Sequence, residues 1–257
     1  MNTELLKSIK EDLNINTNQN LADNIGYLTL SGSRAYGTDI EGSDIDIRGF
    51  YFENPYSMLG IINQPPEQFV FNTADTVIYS FRKFCSLALK GNPNCLELLG
   101  TREEDTILVS EEAKWLRENV KLFISKQIYN PFSGYVKGML KMAMKFIDVN
   151  DEKAYKTLAH ALRALYMGRD IFTTGCLVVR RPEATYLKEV INGVYDFGTL
   201  KLRVDSALQE FEEAFKNTAI PEEPATVRVN KFIVRTYLHK IENLYGRALH
   251  DTLCKSR

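Results

Sequence analysis

Four residues, Asp44-Ile45-Asp46-Ile47, restrict this chain more than any others. In a strand, successive side chains point to opposite faces, so the two isoleucines share one face and the two aspartates the other. The isoleucine face can bury against other elements. The carboxylates, about 7 Å apart along the strand, repel each other unless a cation lies between them. Hard divalent cations with oxygen ligands meet that need, and Mg²⁺ typically takes one or two carboxylates together with substrate phosphates. A solvated acidic turn or a Ca²⁺ loop is the alternative, although a Ca²⁺ loop sets its oxygen ligands in a flexible loop instead of alternating them with isoleucine.

Upstream, "IGYLTLSGS" reads as a short apolar strand that ends in a Gly/Ser turn, and "RAYG" then opens a short helical turn. Such a turn aims backbone N–H groups outward, where they can receive phosphate. Gly32 lets the backbone approach closely and the Ser33 hydroxyl adds a donor. Ten residues separate Ser33 from Asp44, so a phosphate cradle and a pair of metal carboxylates are expected side by side.

The rest of the chain frames this stretch. "FVFNTADTVIYSFRKFCSLALK" begins as strand and passes into a helix that stops at Gly91. From about residue 111 the patterns are helical, with Ser110 and Asp151 as N-cap candidates and "IPEEPA", 220–225, as the clearest breaker. We therefore expect an α/β (α+β) chain: a mixed-sheet domain over 1–110, then a helical domain over 111–257. Charge divides the same way. Residues 1–110 hold 8 Lys and Arg against 15 Asp and Glu, and residues 111–257 hold 24 against 18, so the first part suits metal ions and the second a polyanion such as a nucleotide or RNA. Helices with many exposed lysines would give the same count. Cys85, Cys95, Cys176 and Cys254 form no C-x-x-C pair, which argues against a zinc site or a disulfide framework. The start of the chain lacks a signal-peptide pattern and no apolar run approaches 18 residues, so a cytoplasmic protein with no membrane partner is expected.

"GS", ten residues and "DIDI" together resemble the signature of the DNA polymerase β-like nucleotidyltransferase superfamily. The longer "GSRAYGTDIEGSDIDIRGFY", with "YSFRKFCSLALKGNPNCLELL" downstream, is similar to a narrower group, the RNA-repair-pathway DNA polymerase β (RlaP-like) predicted nucleotidyltransferases. The resemblance implies a polymerase β-like mixed sheet flanked by helices, with 1–110 as the catalytic domain and 111–257 contributing to nucleotide and acceptor binding. It implies two Mg²⁺ ions, with Mn²⁺ as a substitute, held by Asp44, Asp46 and a third carboxylate from a later strand that can also take the proton from the attacking hydroxyl. Asp75 is the candidate for that third position, and a turn or cap residue is its alternative reading. An NTP is the implied substrate and RNA or a tRNA end the implied acceptor. Arg34 and Ser43, inside the quoted stretch, join Gly32 and Ser33 as nucleotide-binding candidates.

Lys156, His160 and Arg163, at i, i+4 and i+7, fall on one side of a helix whose other side carries Leu158, Ala161, Leu162 and Leu165. A cationic stripe there could hold a triphosphate and steady leaving pyrophosphate, or be a solvated face. Glu97 lies in an apolar segment where an unpaired carboxylate is costly, and Arg34 or Arg82 is the expected partner. Glu97, with Arg180 and Arg181 in an expected exposed loop, is a candidate for supporting the site or binding the acceptor. Arg228, Lys231 and Arg235 form a second stripe with Tyr237 as the nearby aromatic, while Lys137, Lys141 and Lys145 read as a solvated face. The rival functions are nucleotide transfer to a small molecule or a protein, and a non-catalytic nucleotide-binding module.

Overall fold

The computed structural model describes residues 4, 6–11, 21–61, 64–71, 73–147 and 149–255. The first apolar run forms β1 (Ile25–Ser31), followed directly by α1 (Gly32–Tyr36) and, after a loop, β2 (Asp46–Tyr51). Then come α2 (Pro55–Leu59), β3 (Gln68–Phe71), β4 (Thr76–Ser80), α3 (Phe81–Leu89), α4 (Pro93–Glu97) and β5 (Thr106–Val109). Beyond β5 the chain is helical: α5 (Glu111–Glu118), α6 (Tyr129–Phe146), α7 (Asp151–Thr174), α8 (Ala184–Ile191), α9 (Phe197–Asn217) and α10 (Thr226–Lys255). No helix among the described residues is long and apolar enough to cross a membrane.

The five strands lie in the order β3-β4-β2-β1-β5. β2 runs antiparallel to β1 and parallel to β4, so the sheet is mixed, as the sequence leads one to expect. Sheet period explains the two cores. Ile47 and Tyr51 join Leu28, Leu30 and Ile78 on one face, against which Ile9 also packs. Phe50, on the other face, is fully buried among Tyr27, Phe81 and Phe84, with ring centroids 5.0–5.9 Å away. That second cluster continues without a break into Leu116, Phe132, Leu162 and Phe211 of the helical region. Truncating Phe50 to alanine would cost about 3–5 kcal/mol by the usual transfer and cavity terms.

Local chemistry sets the helix ends. Ser110 caps α5 by accepting from Ala113 N at 3.2 Å. At α7 the cap is Asn150, which accepts from Lys153 N at 2.9 Å, and Asp151 lies in the first turn instead. A neutral amide that reaches the open N–H is as good a cap as a carboxylate, and the acid one residue later still faces the positive helix end. The breaker at 220–225 separates α9 from α10. α10 then packs back on the sheet end: Trp115 stacks on Phe232 at 3.8 Å, and buried Glu53 accepts from Tyr237, from Phe81 N at 3.1 Å and from Arg82 Nε at 3.2 Å. Tyr237 is therefore buried in this network and cannot serve as a stacking aromatic for RNA.

Candidate active site

The Gly/Ser turn and the aspartates meet because β1 and β2 are antiparallel neighbours. Ser31, the last residue of β1, pairs with Asp46, the first of β2. Gly32 follows at φ +61, and a Cβ added there would lie 2.0 Å from Asp46 Oδ2. Only glycine admits both that backbone and that carboxylate. Asp44 and Ile45 stand just before β2, not inside it, with Asp44 exposed. Ile45 still packs beside Ile47 on the same core, so the expected alternation survives where the strand has not yet begun.

Asp75, the candidate third carboxylate, ends the 3₁₀ turn Thr73–Asp75 just before β4. In the parallel β2–β4 ladder Ile47 is opposite Thr76, so Asp46 and Asp75 both immediately precede one register pair. Asp75 (φ 32) and Ala74 (φ 51) have left-handed backbone, an uncommon conformation for residues other than glycine and one that collects at functional sites. Arg48 spans the two acids, with Nη2 3.6 Å from Asp46 Oδ1 and 3.5 Å from Asp75 Oδ2. Burial first, then a hydrogen bond to Asp75 and the charges of Asp75 and Asp44, push the Asp46 carboxyl up to about 6, with Arg48 opposing. A partly buried carboxylate whose charge is disfavoured by two neighbouring acids is of the donor type that suits a hard divalent cation. Among the described residues, no three His, Cys, Asp or Glu side chains stand grouped as ligands, and the Arg48 guanidinium lies against two of these acids.

A cavity of about 130 Å³ adjoins this corner, lined by Ser33, Thr38, Ser43 and Asp44 from one side and by Glu152, Lys156 and His160 of α7 from the other. It suits a phosphate-sized group more than a whole nucleotide, since sites for drug-sized ligands run to roughly 300–1,000 Å³. Two larger cavities, about 430 Å³ beside β5 and about 440 Å³ between α3 and α10, share no lining residue with it, so here chemistry is a better guide than size.

The α7 stripe is only partly as expected. Lys156 is exposed and His160 half-buried, but Arg163 is 2% exposed. Every residue from Ala161 to Gly168 is buried, because the middle of α7 is enclosed by α6, α8 and α9 and its exposed residues lie towards its two ends. Arg163 donates to Glu97 and lies 3.7 Å from the centre of the Tyr36 ring, while Tyr36 donates to the other Glu97 oxygen at 2.5 Å. The partner of Glu97 is thus Arg163, not Arg34 or Arg82, and both residues lie behind the site. Burial, resisted by Arg163 and reinforced by Glu97, holds the Tyr36 phenol well above its ordinary pKa, so it is a neutral donor. Burial, with Arg163 and Lys156 nearby, lowers His160 to about 4. His160 can therefore hydrogen-bond at neutral pH but brings no positive charge to the stripe.

Arg34 is not among the cavity-lining residues; its Nη2 donates to Ser43 O at 3.3 Å and so props the 37–45 loop. The Ser43 hydroxyl accepts from Ile40 N at 2.9 Å. The two arginines at 180 and 181 separate sharply. Arg180 is exposed, with its guanidinium carbon 3.1 Å from where a Gly37 Cβ would be. Arg181 is 3% exposed and paired with Asp170 at 2.6 Å and Glu183 at 2.8 Å, which corrects the expected open loop. Arg228, Lys231 and Arg235 are exposed along α10, as are Lys137, Lys141 and Lys145 along α6. Sequence reasoning missed Arg48, Glu53 and Tyr36. Only Arg48 carried a signal, the continued alternation of D-I-D-I-R.

The family model described as the RNA repair pathway DNA polymerase beta family, RlaP, matches residues 4–191. The chain belongs to that family. Membership places it among the polymerase β-like nucleotidyltransferases and implies a nucleotide substrate; such enzymes generally use divalent metals. A crystal structure at 1.90 Å of a nucleotidyltransferase-like protein from Exiguobacterium sibiricum 255-15 is 12% identical, covers 83% of this chain and 74% of its own, and has a TM-score of 0.29, too low to inform the chemistry of this site. Comparison with curated proteins gives no match.

Proposed function

We propose that this protein moves a nucleoside monophosphate from an NTP to an acceptor hydroxyl on RNA or a tRNA end, releasing pyrophosphate. The observation that carries the reading is the corner where Asp46 and Asp75 converge beside the Gly32-Ser33 turn, with Asp44 two residues away. Asp44, Asp46 and Asp75 would hold Mg²⁺, or Mn²⁺ in its place, in the two-ion arrangement of the superfamily. Bound there, the cations neutralise triphosphate charge and make the acceptor hydroxyl easier to deprotonate.

The chain's own residues do the rest. Gly32 leaves the backbone open to phosphate and Ser33 donates its hydroxyl across the cavity that Lys156 faces from α7. The acceptor oxygen attacks the α-phosphorus, its proton passes to a carboxylate for which Asp75 is the candidate, and the bond to the β-phosphate oxygen breaks. Lys156 balances charge on the departing pyrophosphate, and neutral His160 hydrogen-bonds it. Residues 1–110 supply the carboxylates and residues 111–257 the opposite wall, so the site is shared between two parts of one chain. The family's description favours RNA as acceptor. Arg180, exposed beside Gly37, and the α10 cations Arg228, Lys231 and Arg235 are the acceptor-binding candidates. The test is incubation with each labelled NTP, Mg²⁺ and total RNA, with products sized for one added nucleotide or a tail. Label on a small molecule or on protein, and none on RNA, would reject the acceptor assignment.

A further inference from the structure

Arg48 is the one residue of this corner that the proposed chemistry leaves without a task. It stands two positions after Asp46 on β2, so its side chain leaves the same face of the sheet. Its Nη2 lies 3.6 Å from Asp46 Oδ1 and 3.5 Å from Asp75 Oδ2, while its Nη1 donates to the Asp75 main-chain oxygen at 2.9 Å. One guanidinium therefore spans carboxylates brought by two parallel strands. The main-chain hydrogen bond anchors it. The two carboxylate contacts are longer than a hydrogen bond and are ion pairs only, so yielding them costs little. The side chain is 20% exposed, which gives it solvent to move into.

A single positive charge in this position acts in two ways. It offsets the repulsion between Asp46 and Asp75, and it occupies the oxygens that a divalent cation would take while repelling that cation. We infer that Arg48 is a built-in counter-ion that holds Asp46 and Asp75 together in the metal-free protein and yields their oxygens when a divalent cation binds, so that metal affinity is set by competition with this side chain. The inference rests on reading Asp46 and Asp75 as metal ligands.

The probe is Mn²⁺ alone, without nucleotide, titrated into the full chain. Free Mn²⁺ is read by electron paramagnetic resonance, and thermal unfolding is followed with and without the ion. The wild type should bind and Asp46→Asn should lose binding. Arg48→Gln should bind about tenfold more tightly, a change within the ordinary range of coupling between two sites. Without metal it should unfold at a lower temperature than the wild type, and Mn²⁺ should raise its unfolding temperature by more. Arg48→Lys, which keeps the charge but cannot span both acids, should fall between the two, and it carries the comparison where Arg48→Gln does not fold. Equal or weaker Mn²⁺ binding in these variants, with Asp46→Asn inactive in binding, would overturn the counter-ion role alone. Failure of the wild type to bind Mn²⁺ would overturn the ligand reading and the inference with it.

Discussion

Replacing Arg163 with methionine should be among the most damaging single changes in this protein, although Arg163 does not line the cavity between Ser33 and His160. Arg163 and Glu97 are 2% and 3% exposed, and the arginine also lies over the Tyr36 ring at 3.7 Å. Methionine fills much of the space but leaves the Glu97 carboxylate buried with only the Tyr36 hydroxyl. Removing one partner of a buried ion pair costs about 3–5 kcal/mol. Against a total stability of about 5–15 kcal/mol, that is a large share. For a chain of this size it corresponds to a fall of roughly 6–20 °C in Tm. Because the contact ties α1, which begins at Gly32, to α7, which carries Lys156, the surviving folded fraction should also show a raised KM for NTP. Urea titrations of Arg163→Met, Glu97→Leu and the double variant form the assay. The double variant removes both charges and should recover much of the loss, with coupling of about 2 kcal/mol or more. A single variant that loses under about 1 kcal/mol, or single losses that simply add, would refute the buried-pair argument.

Gly32→Ala should cost about 1–3 kcal/mol for its left-handed backbone and displace the Asp46 carboxylate, so transfer activity and Mn²⁺ binding should fall together; wild-type values for both would contradict the close packing at this turn. The pH dependence of stability follows from His160. Its folded pKa, about 4, lies below the ordinary 6.5, so between those values the unfolded chain binds a proton that the folded chain excludes, and stability falls as pH drops through that window. The loss between pH 7 and pH 4.5 should be about 2 kcal/mol and shrink in His160→Asn, as read from urea midpoints at the two pH values; equal pH slopes in the two proteins would exclude His160 as the source. Tyr237→Phe leaves Glu53 with two of its donors and should cost about 1–3 kcal/mol without altering KM for NTP, measured by urea denaturation and steady-state kinetics.

The sequence is most informative where one short period decides everything. Alternation in Asp44-Ile45-Asp46-Ile47 places two isoleucines on a core and two acids away from it, whatever surrounds them. The same rule, carried one step further, would have found Arg48. Asp75 was legible as an acid at the head of a β-branched strand, but its left-handed backbone was not, because nothing in "NTADTV" demands positive φ as glycine would. Arg163 shows the limit most clearly. Helical spacing groups it with Lys156 and His160, but spacing cannot tell that α7 is enclosed from Ala161 to Gly168. The pairing of Arg163 with Glu97 spans 66 positions, and that of Tyr237 with Glu53 spans 184, distances over which no local pattern speaks.

Nucleotide transfer by the wild type and by Asp46→Asn, with labelled NTP, Mg²⁺ and an RNA pool, addresses the proposed function most directly. Asparagine keeps the shape beside Gly32 while removing the charge, so the variant should stay folded, with its activity reduced by about 10²-fold or more. Asp46→Asn that transfers nucleotide at the wild-type rate would contradict the assignment of this carboxylate to the reaction.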